Sequence, residues 1–140
     1  MASRKNTGKK KYTYAIGRRK EAVATVKLYH GKTGNTVVNG VDIVDYFPGL
    51  AAKQHFQKPF QVTGTTGKFY AEIVVKGGGK KGQLESAVLA LSRALNDLDR
   101  EKYRPFLKKE GLLTVDSRIR ERRKIGQMGR ARKKKQSPKR

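Results

Sequence analysis

The sequence predicts an α+β domain: a small mixed sheet covered on one face by helices, with extended basic N- and C-terminal arms. Three observations carry that prediction. Residues 22–29 alternate, with Ala22, Ala24, Val26 and Leu28 on one face and Thr25 and Lys27 on the other, the period of a half-buried strand. Leu84, Ala87, Val88, Leu91, Leu95 and Leu98 recur at helical spacing, an apolar stripe suited to lie on that sheet. The third observation is the distribution of a net charge of +23. Residues 1–20 hold eight Lys or Arg and no acid, and residues 118–140 hold twelve against Glu121 alone. Residues 21–117 hold fourteen basic and ten acidic side chains. A nearly balanced globule therefore lies between two arms too charged and too poor in apolar residues to form a core.

In chain order, residues 12–16 and 22–29 read as strands. Residues 30–35, His-Gly-Lys-Thr-Gly-Asn, have the composition of a hairpin loop leading into a short strand at 36–38. A short helix is expected over 41–47, halted by Pro48-Gly49, and a second over 50–56, before Pro59. Residues 60–62 and 69–76 read as strands flanking the turn-rich 63–68. The long helix is expected from 83 to about 104, with Pro105 marking its end, and 111–115 leads into the tail. The expected organisation is a basic N-terminal extension at 1–11, one globular α+β domain at 12–117, and an extended basic tail at 118–140. No internal repeat is present.

Two basic arms gain free energy by displacing counterions from a polyanion, which makes nucleic acid the leading partner class. An anionic membrane is the weaker one, because a membrane-surface arm needs an apolar face that the tail lacks, and no membrane partner is expected. With no Cys there is neither a disulfide framework nor a thiolate metal site, in agreement with a reducing compartment. The first eleven residues contain no apolar signal region and no run approaches a membrane span, so a soluble, cytoplasmic protein is expected.

Several motifs invite an enzymatic reading and fail it. Residues 77–82, Gly-Gly-Gly-Lys-Lys-Gly, match G-x-G-x-x-G between a strand and a helix. The acid that should sit on a second strand falls instead at Asp97 or Asp99, within or at the end of the same helix, and the strands of a doubly wound sheet are missing. A phosphate of RNA suits the stretch better. Successive glycines let backbone N–H groups approach an anion, the helix start adds partial positive charge, and Lys76, Lys80 and Lys81 surround it. A turn chosen only for tight packing would carry the same glycines. Gly31-Lys32-Thr33 resembles the end of a phosphate-binding loop, but Val26 stands where the earlier Gly is required. His30 and His55 have no ligand-like spacing, and no Ser, His and Asp set suggests a nucleophile. No enzyme, metal or cofactor is therefore predicted. Tyr12 and Tyr14, beside the basic N-terminal arm, are candidates for contact with a base.

The segments IGRRKEAVATVKL (16–28), VVNGVDIVDYF (37–47), VVKGGGKKGQ (74–83), SRALND (92–97) and ERRKIG (121–126) follow one another in an order that resembles the small-subunit ribosomal protein S-nine family (uS-nine in universal naming), in its bacterial-type form. The resemblance runs from residue 12 to residue 140. It implies a four-stranded sheet with two packed helices, seated on ribosomal RNA in the small-subunit head among neighbouring proteins, with no homo-oligomer. It also implies a tail threading through RNA to the peptidyl site. Carried over by position, Gly17, Arg18, Arg19 and Lys20 would contact ribosomal RNA, as would Lys76, Gly77, Gly78, Gly79, Lys80 and Lys81. In the tail, Arg122, Arg123, Lys124, Arg130, Arg132, Lys133, Lys134 and Lys135 would line the RNA passage. Lys139 and Arg140 would reach the backbone of transfer RNA. Twenty-three tail residues extend about 75 Å at roughly 3.3 Å each, a length consistent with that path.

The chain departs from the family in two places. Bacterial-type members usually end in Gln-Phe-Ser-Lys-Arg, where this chain has Gln136-Ser137-Pro138-Lys139-Arg140, replacing an aromatic and fixing a backbone angle just before the tip. The extension at 1–11 is also more basic than in many members, as an extra RNA-contacting arm would be. The alternatives are a basic protein subunit of a ribonuclease P-type ribozyme and a nonspecific nucleic-acid compactor. The first carries its basic residues more within the folded domain, and the second has no need of the KGGG turn.

Overall fold

The structure is a computed structural model that describes residues 12–29, 34–123 and 125. Strand β1 (Tyr12–Arg19) turns at Lys20 and Glu21 into β2 (Ala22–Tyr29), and Arg19 pairs with Ala22 across the turn. Lys20 closes that hairpin at φ 54°, in the left-handed region. Two short strands, β3 (Val37–Val38) and β4 (Val41–Asp42), are joined through Asn39-Gly40, both at positive φ. Then come α1 (Ile43–Tyr46), α2 (Leu50–Val62), β5 (Tyr70–Lys76), α3 (Lys80–Leu98) and α4 (Arg100–Lys109).

The sheet order is β1-β2-β5-β3-β4. The β1–β2, β2–β5 and β3–β4 pairs are antiparallel, whereas β3 lies parallel to β5, so the sheet is mixed as expected. Five strands appear where the resemblance implied four, the difference being the two-residue pairing of β3 with β4. Helix α3 lies across β1 and β2, and α2 and α4 pack beside it. Ala22, Ala24, Val26 and Leu28 of β2 and Ala71, Ile73 and Val75 of β5 face this layer, and Leu91, Leu95 and Leu107 close the core from above. Each such large side chain stabilises the fold by about 1.5–3 kcal/mol on burial.

Four local expectations are corrected. Residues 30–35 do not turn a hairpin, because β5 lies between β2 and β3; residues 30–33 are outside the described set. Residues 60–62 are helix: α2 continues through Pro59 because Phe56, Pro59 and Phe60, at i, i+3 and i+4, form one buried stripe whose burial offsets the lost backbone hydrogen bond. Of the helix expected over 41–47, Val41 and Asp42 are strand, and Asp42 caps α1 by accepting from the Val44 N–H at 3.0 Å. The long helix expected over 83–104 is two helices. Asp99 breaks it at φ −149° and caps α4 by accepting from the Lys102 N–H, and α4 runs on past Pro105 because Tyr103 and Leu107 bury on the core.

Candidate nucleic-acid interface

The two basic motifs meet at one end of the sheet. A β-carbon placed on Gly77 would lie 2.6 Å from the Glu21 carbonyl oxygen, and one on Gly78 would lie 3.1 Å from the Ala22 nitrogen. The loop after β5 thus presses against the β1–β2 turn, a contact only glycines at φ +72° and +62° permit. Arg18, Val23 and Lys76 stand abreast on three adjacent strands. Arg18, Lys20, Lys76, Gly77, Gly78, Gly79, Lys80 and Lys81 are all exposed there, with Glu21 as the acid at the turn. Helix α3 starts on the same surface. Gly79 provides no side-chain cap and its first turn contains no acid, so the partial positive charge of the helix end adds to the lysines.

A polar chain that sequence reasoning missed holds this loop. Asn39 donates its backbone N–H to the Ile73 carbonyl at 2.9 Å, accepts the Val75 N–H on Oδ1 at 3.0 Å and donates Nδ2 to the Val75 carbonyl at 3.1 Å. The Tyr46 hydroxyl donates to Gln83 Oε1 at 3.0 Å, and Gln83 Nε2 donates to the Gly77 carbonyl at 3.1 Å. Lys80 sits with Nζ 3.4 Å from the centre of the Tyr46 ring and donates to the Tyr46 carbonyl at 3.3 Å, so its ammonium is tied to α1. The Asn-Gly pair at 39–40 was the sequence signal for this turn. Nothing in the sequence pointed to Tyr46 or Gln83.

Gly17 and Arg19 face the helices. Gly17 is buried where β1 crosses α3, and a β-carbon there would lie 2.1 Å from the Ser86 carbonyl oxygen. The Arg19 side chain is 13% exposed and bonds inward to Glu85 and Asp116. The Asp116 carboxyl is held far below the usual carboxylate range, chiefly by side-chain and backbone hydrogen bonds from Arg118, with the Arg19 charge adding to them.

On the opposite, uncovered face of the sheet, Tyr12, Tyr29 and Tyr70 form a row with ring centres 5.6 and 5.5 Å apart, and Tyr14 is exposed in the next row. The Glu72 carboxylate, accepting from the Tyr29 hydroxyl, pushes that phenol up. His55 is exposed on α2, whereas His30 lies outside the described residues. Arg122 and Arg123 are exposed on the segment after α4, which is neither helix nor strand. Lys124, Arg130, Arg132, Lys133, Lys134, Lys135, Lys139 and Arg140, with the extension at 1–11, lie outside the described residues.

No described helix is long and apolar enough to cross a membrane. The family model of ribosomal protein S9/S16 matches residues 17–140. The small ribosomal subunit protein uS9 of Leifsonia xyli subsp. xyli is 46% identical over 126 residues, covering 90% of this chain and 74% of that one. That of Maridesulfovibrio salexigens is 47% identical over 120 residues, 86% of this chain and 91% of its own. That of Methylacidiphilum infernorum is 48% identical over 126 residues, 90% of each chain.

Proposed function

We propose, from the premise that the chain belongs to the ribosomal protein S9/S16 family, that the basic end of its sheet binds small-subunit ribosomal RNA and that its tail reaches peptidyl-site transfer RNA. As a member of that family the protein is a structural, non-enzymatic constituent of the small ribosomal subunit. It acts in translation, on the ribosome in the cytoplasm, beside ribosomal RNA and other ribosomal proteins.

The observation that supports the RNA reading is the convergence of the GRRK turn, the KGGG loop and the uncapped start of α3 on one exposed surface. Arg18, Lys20, Lys76 and Lys81 contact backbone phosphates there, and Gly77, Gly78 and Gly79 bring main-chain N–H groups within reach of one. Gly17 contributes by letting β1 lie close to α3, which fixes where Arg18 and Lys20 stand. Contacts of this kind position RNA without reading its sequence. The tail continues the same chemistry: Arg122, Arg123, Lys124, Arg130, Arg132, Lys133, Lys134 and Lys135 run along ribosomal RNA, and Lys139 and Arg140 meet transfer RNA phosphates. Backbone recognition suits a site that accepts every transfer RNA in turn. The protein enters the subunit as a monomer.

Deleting residues 138–140 tests the tail. Small subunits reconstituted with the shortened chain should contain it at full stoichiometry but bind peptidyl-site transfer RNA more weakly in filter assays. Unchanged affinity would remove the transfer RNA role. Reversing charge with Lys20→Glu and Lys81→Glu tests the sheet end, and should weaken binding of the free protein to small-subunit RNA by at least tenfold at low salt.

A further inference from the structure

We infer that Arg19 is a positioning residue that clasps the root of the C-terminal tail to the globule and so sets where, and in which direction, the tail leaves. Among the four residues of the GRRK turn it is the one whose guanidinium is directed into the protein. Nε donates to Glu85 Oε2 at 2.6 Å, Nη2 lies 3.0 Å from Asp116 Oδ2, and Nη1 donates to the carbonyls of Asp116 at 3.2 Å and Arg118 at 2.9 Å. All three nitrogens are engaged, and a planar fork is the group able to hold a helix carboxylate and a passing strand of backbone together.

Both sides of the clasp are rigid. Arg19 ends β1, paired with Ala22, and Glu85 stands in the second turn of α3. The tail side is stiffened by Asp116, which also accepts from the Arg118 N–H at 3.0 Å, from Arg118 Nε at 2.9 Å and from Arg118 Nη2 at 2.6 Å. Upstream, Leu112 and Leu113 pack against the core. Downstream, Ile119 is 66% exposed and Ile125 fully exposed, so the apolar packing that holds residues 112 and 113 does not continue to these two side chains, and the clasp ties the chain where that packing gives out. A long tether whose origin and initial direction are fixed samples a smaller volume, which raises the effective concentration of its tip at a target lying along that direction. That consequence rests on the tail reading above; the clasp itself does not.

The chain has no Cys, so Gln54→Cys on α2 and Arg120→Cys just past the clasp give a unique pair of spin labels in the full-length protein. Pulsed electron–electron double resonance should show one narrow distance distribution. Asp116→Ala lies outside every helix and strand and should leave the circular dichroism spectrum unchanged while broadening the distribution at least twofold. Arg19→Ala, which also releases the Asp116 and Arg118 carbonyls, should broaden it at least as much, and the double variant no further than Arg19→Ala alone, because both act on one clasp. Distributions as narrow in Arg19→Ala as in the parent, or a parent already as broad, would overturn the clasp. Subunits carrying Arg19→Ala separate the two readings. Broadened distances with unchanged transfer RNA affinity uphold the clasp and count against the transfer RNA role; unbroadened distances with weakened affinity overturn the clasp and leave that role standing.

Discussion

At position 17 a single β-carbon would stand 2.1 Å from the Ser86 carbonyl and 2.6 Å from the Ala90 nitrogen, both backbone atoms of α3. Neither can move without moving the helix, so Gly17→Ala should destabilise the fold by about 1–3 kcal/mol or more, as overpacking does. Urea denaturation reads this directly, and a loss under about 0.5 kcal/mol would contradict the close crossing. Asn39 is the second such residue. Asn39→Ala removes two bonds to Val75 and strains a backbone at φ 49°, for an expected cost of about 1–3 kcal/mol. Asn39→Gly relieves the strain alone and should lose less. For Asp116, a folded carboxyl held below its unfolded value of about 3.9 contributes stability above that value and loses it only as pH falls through the lower folded one. The tail root should therefore stay ordered from about pH 5 to about pH 4; broadened label distances there would contradict this. The basic character of residues 18–20 was legible. That Gly17 and Arg19 turn inward while Arg18 and Lys20 turn outward follows from the strand's alternation, and becomes visible only once β1 is known to run to Arg19 with α3 on one face.

Elements were legible where periodicity was strong and misread where a proline or a loop composition stood in for it. The alternation of β2 and the stripe of α3 each found the right element. Pro59 and Pro105 were read as terminators, yet both lie inside helices, because the apolar residues around them bury well enough to offset one missing hydrogen bond. The real interruption is Asp99, two residues past an Asn-Asp pair and unmarked by any Pro or Gly. Its carboxylate accepts from the Lys102 N–H at 3.1 Å, as a helix cap does. Asp99→Ala should then cost about 1 kcal/mol and Asp99→Asn much less, since Asn caps nearly as well. Equal losses in thermal melts would assign Asp99 some role other than the cap. The hairpin assigned to 30–35 failed for a topological reason. Strand β5, forty residues further on, inserts between β2 and β3, and no local window contains that fact. The Asn-Gly turn at 39–40 was within reach of sequence reasoning, but two-residue strands leave no alternation to notice.

On the scale of the whole molecule, the net charge is carried mainly by the two ends of the chain and little by its middle. The described core uses neutral side chains, and the middle 97 residues are close to electrically balanced, so the globule does not repel itself. The excess sits at 1–20 and 118–140, where binding to a polyanion would release the counterions it gathers. Binding of the free protein to single-stranded RNA should accordingly depend steeply on salt. If about ten phosphates are engaged, the slope of log affinity against log salt is about −7, and a slope near zero would contradict backbone contact. Truncation partitions that number. A chain ending at residue 117 keeps the turn, the KGGG loop and the N-terminal arm but loses twelve basic residues against one acid. With about half the phosphate contacts on the tail, its slope should fall to between about −3 and −4 while binding persists. An unchanged slope would place all the RNA contacts of the free protein on the globule and its N-terminal arm. Complete loss of binding would make the sheet end a mere support for the tail, and the juxtaposition of Arg18, Lys20, Lys76 and Lys81 would then have no part in holding RNA.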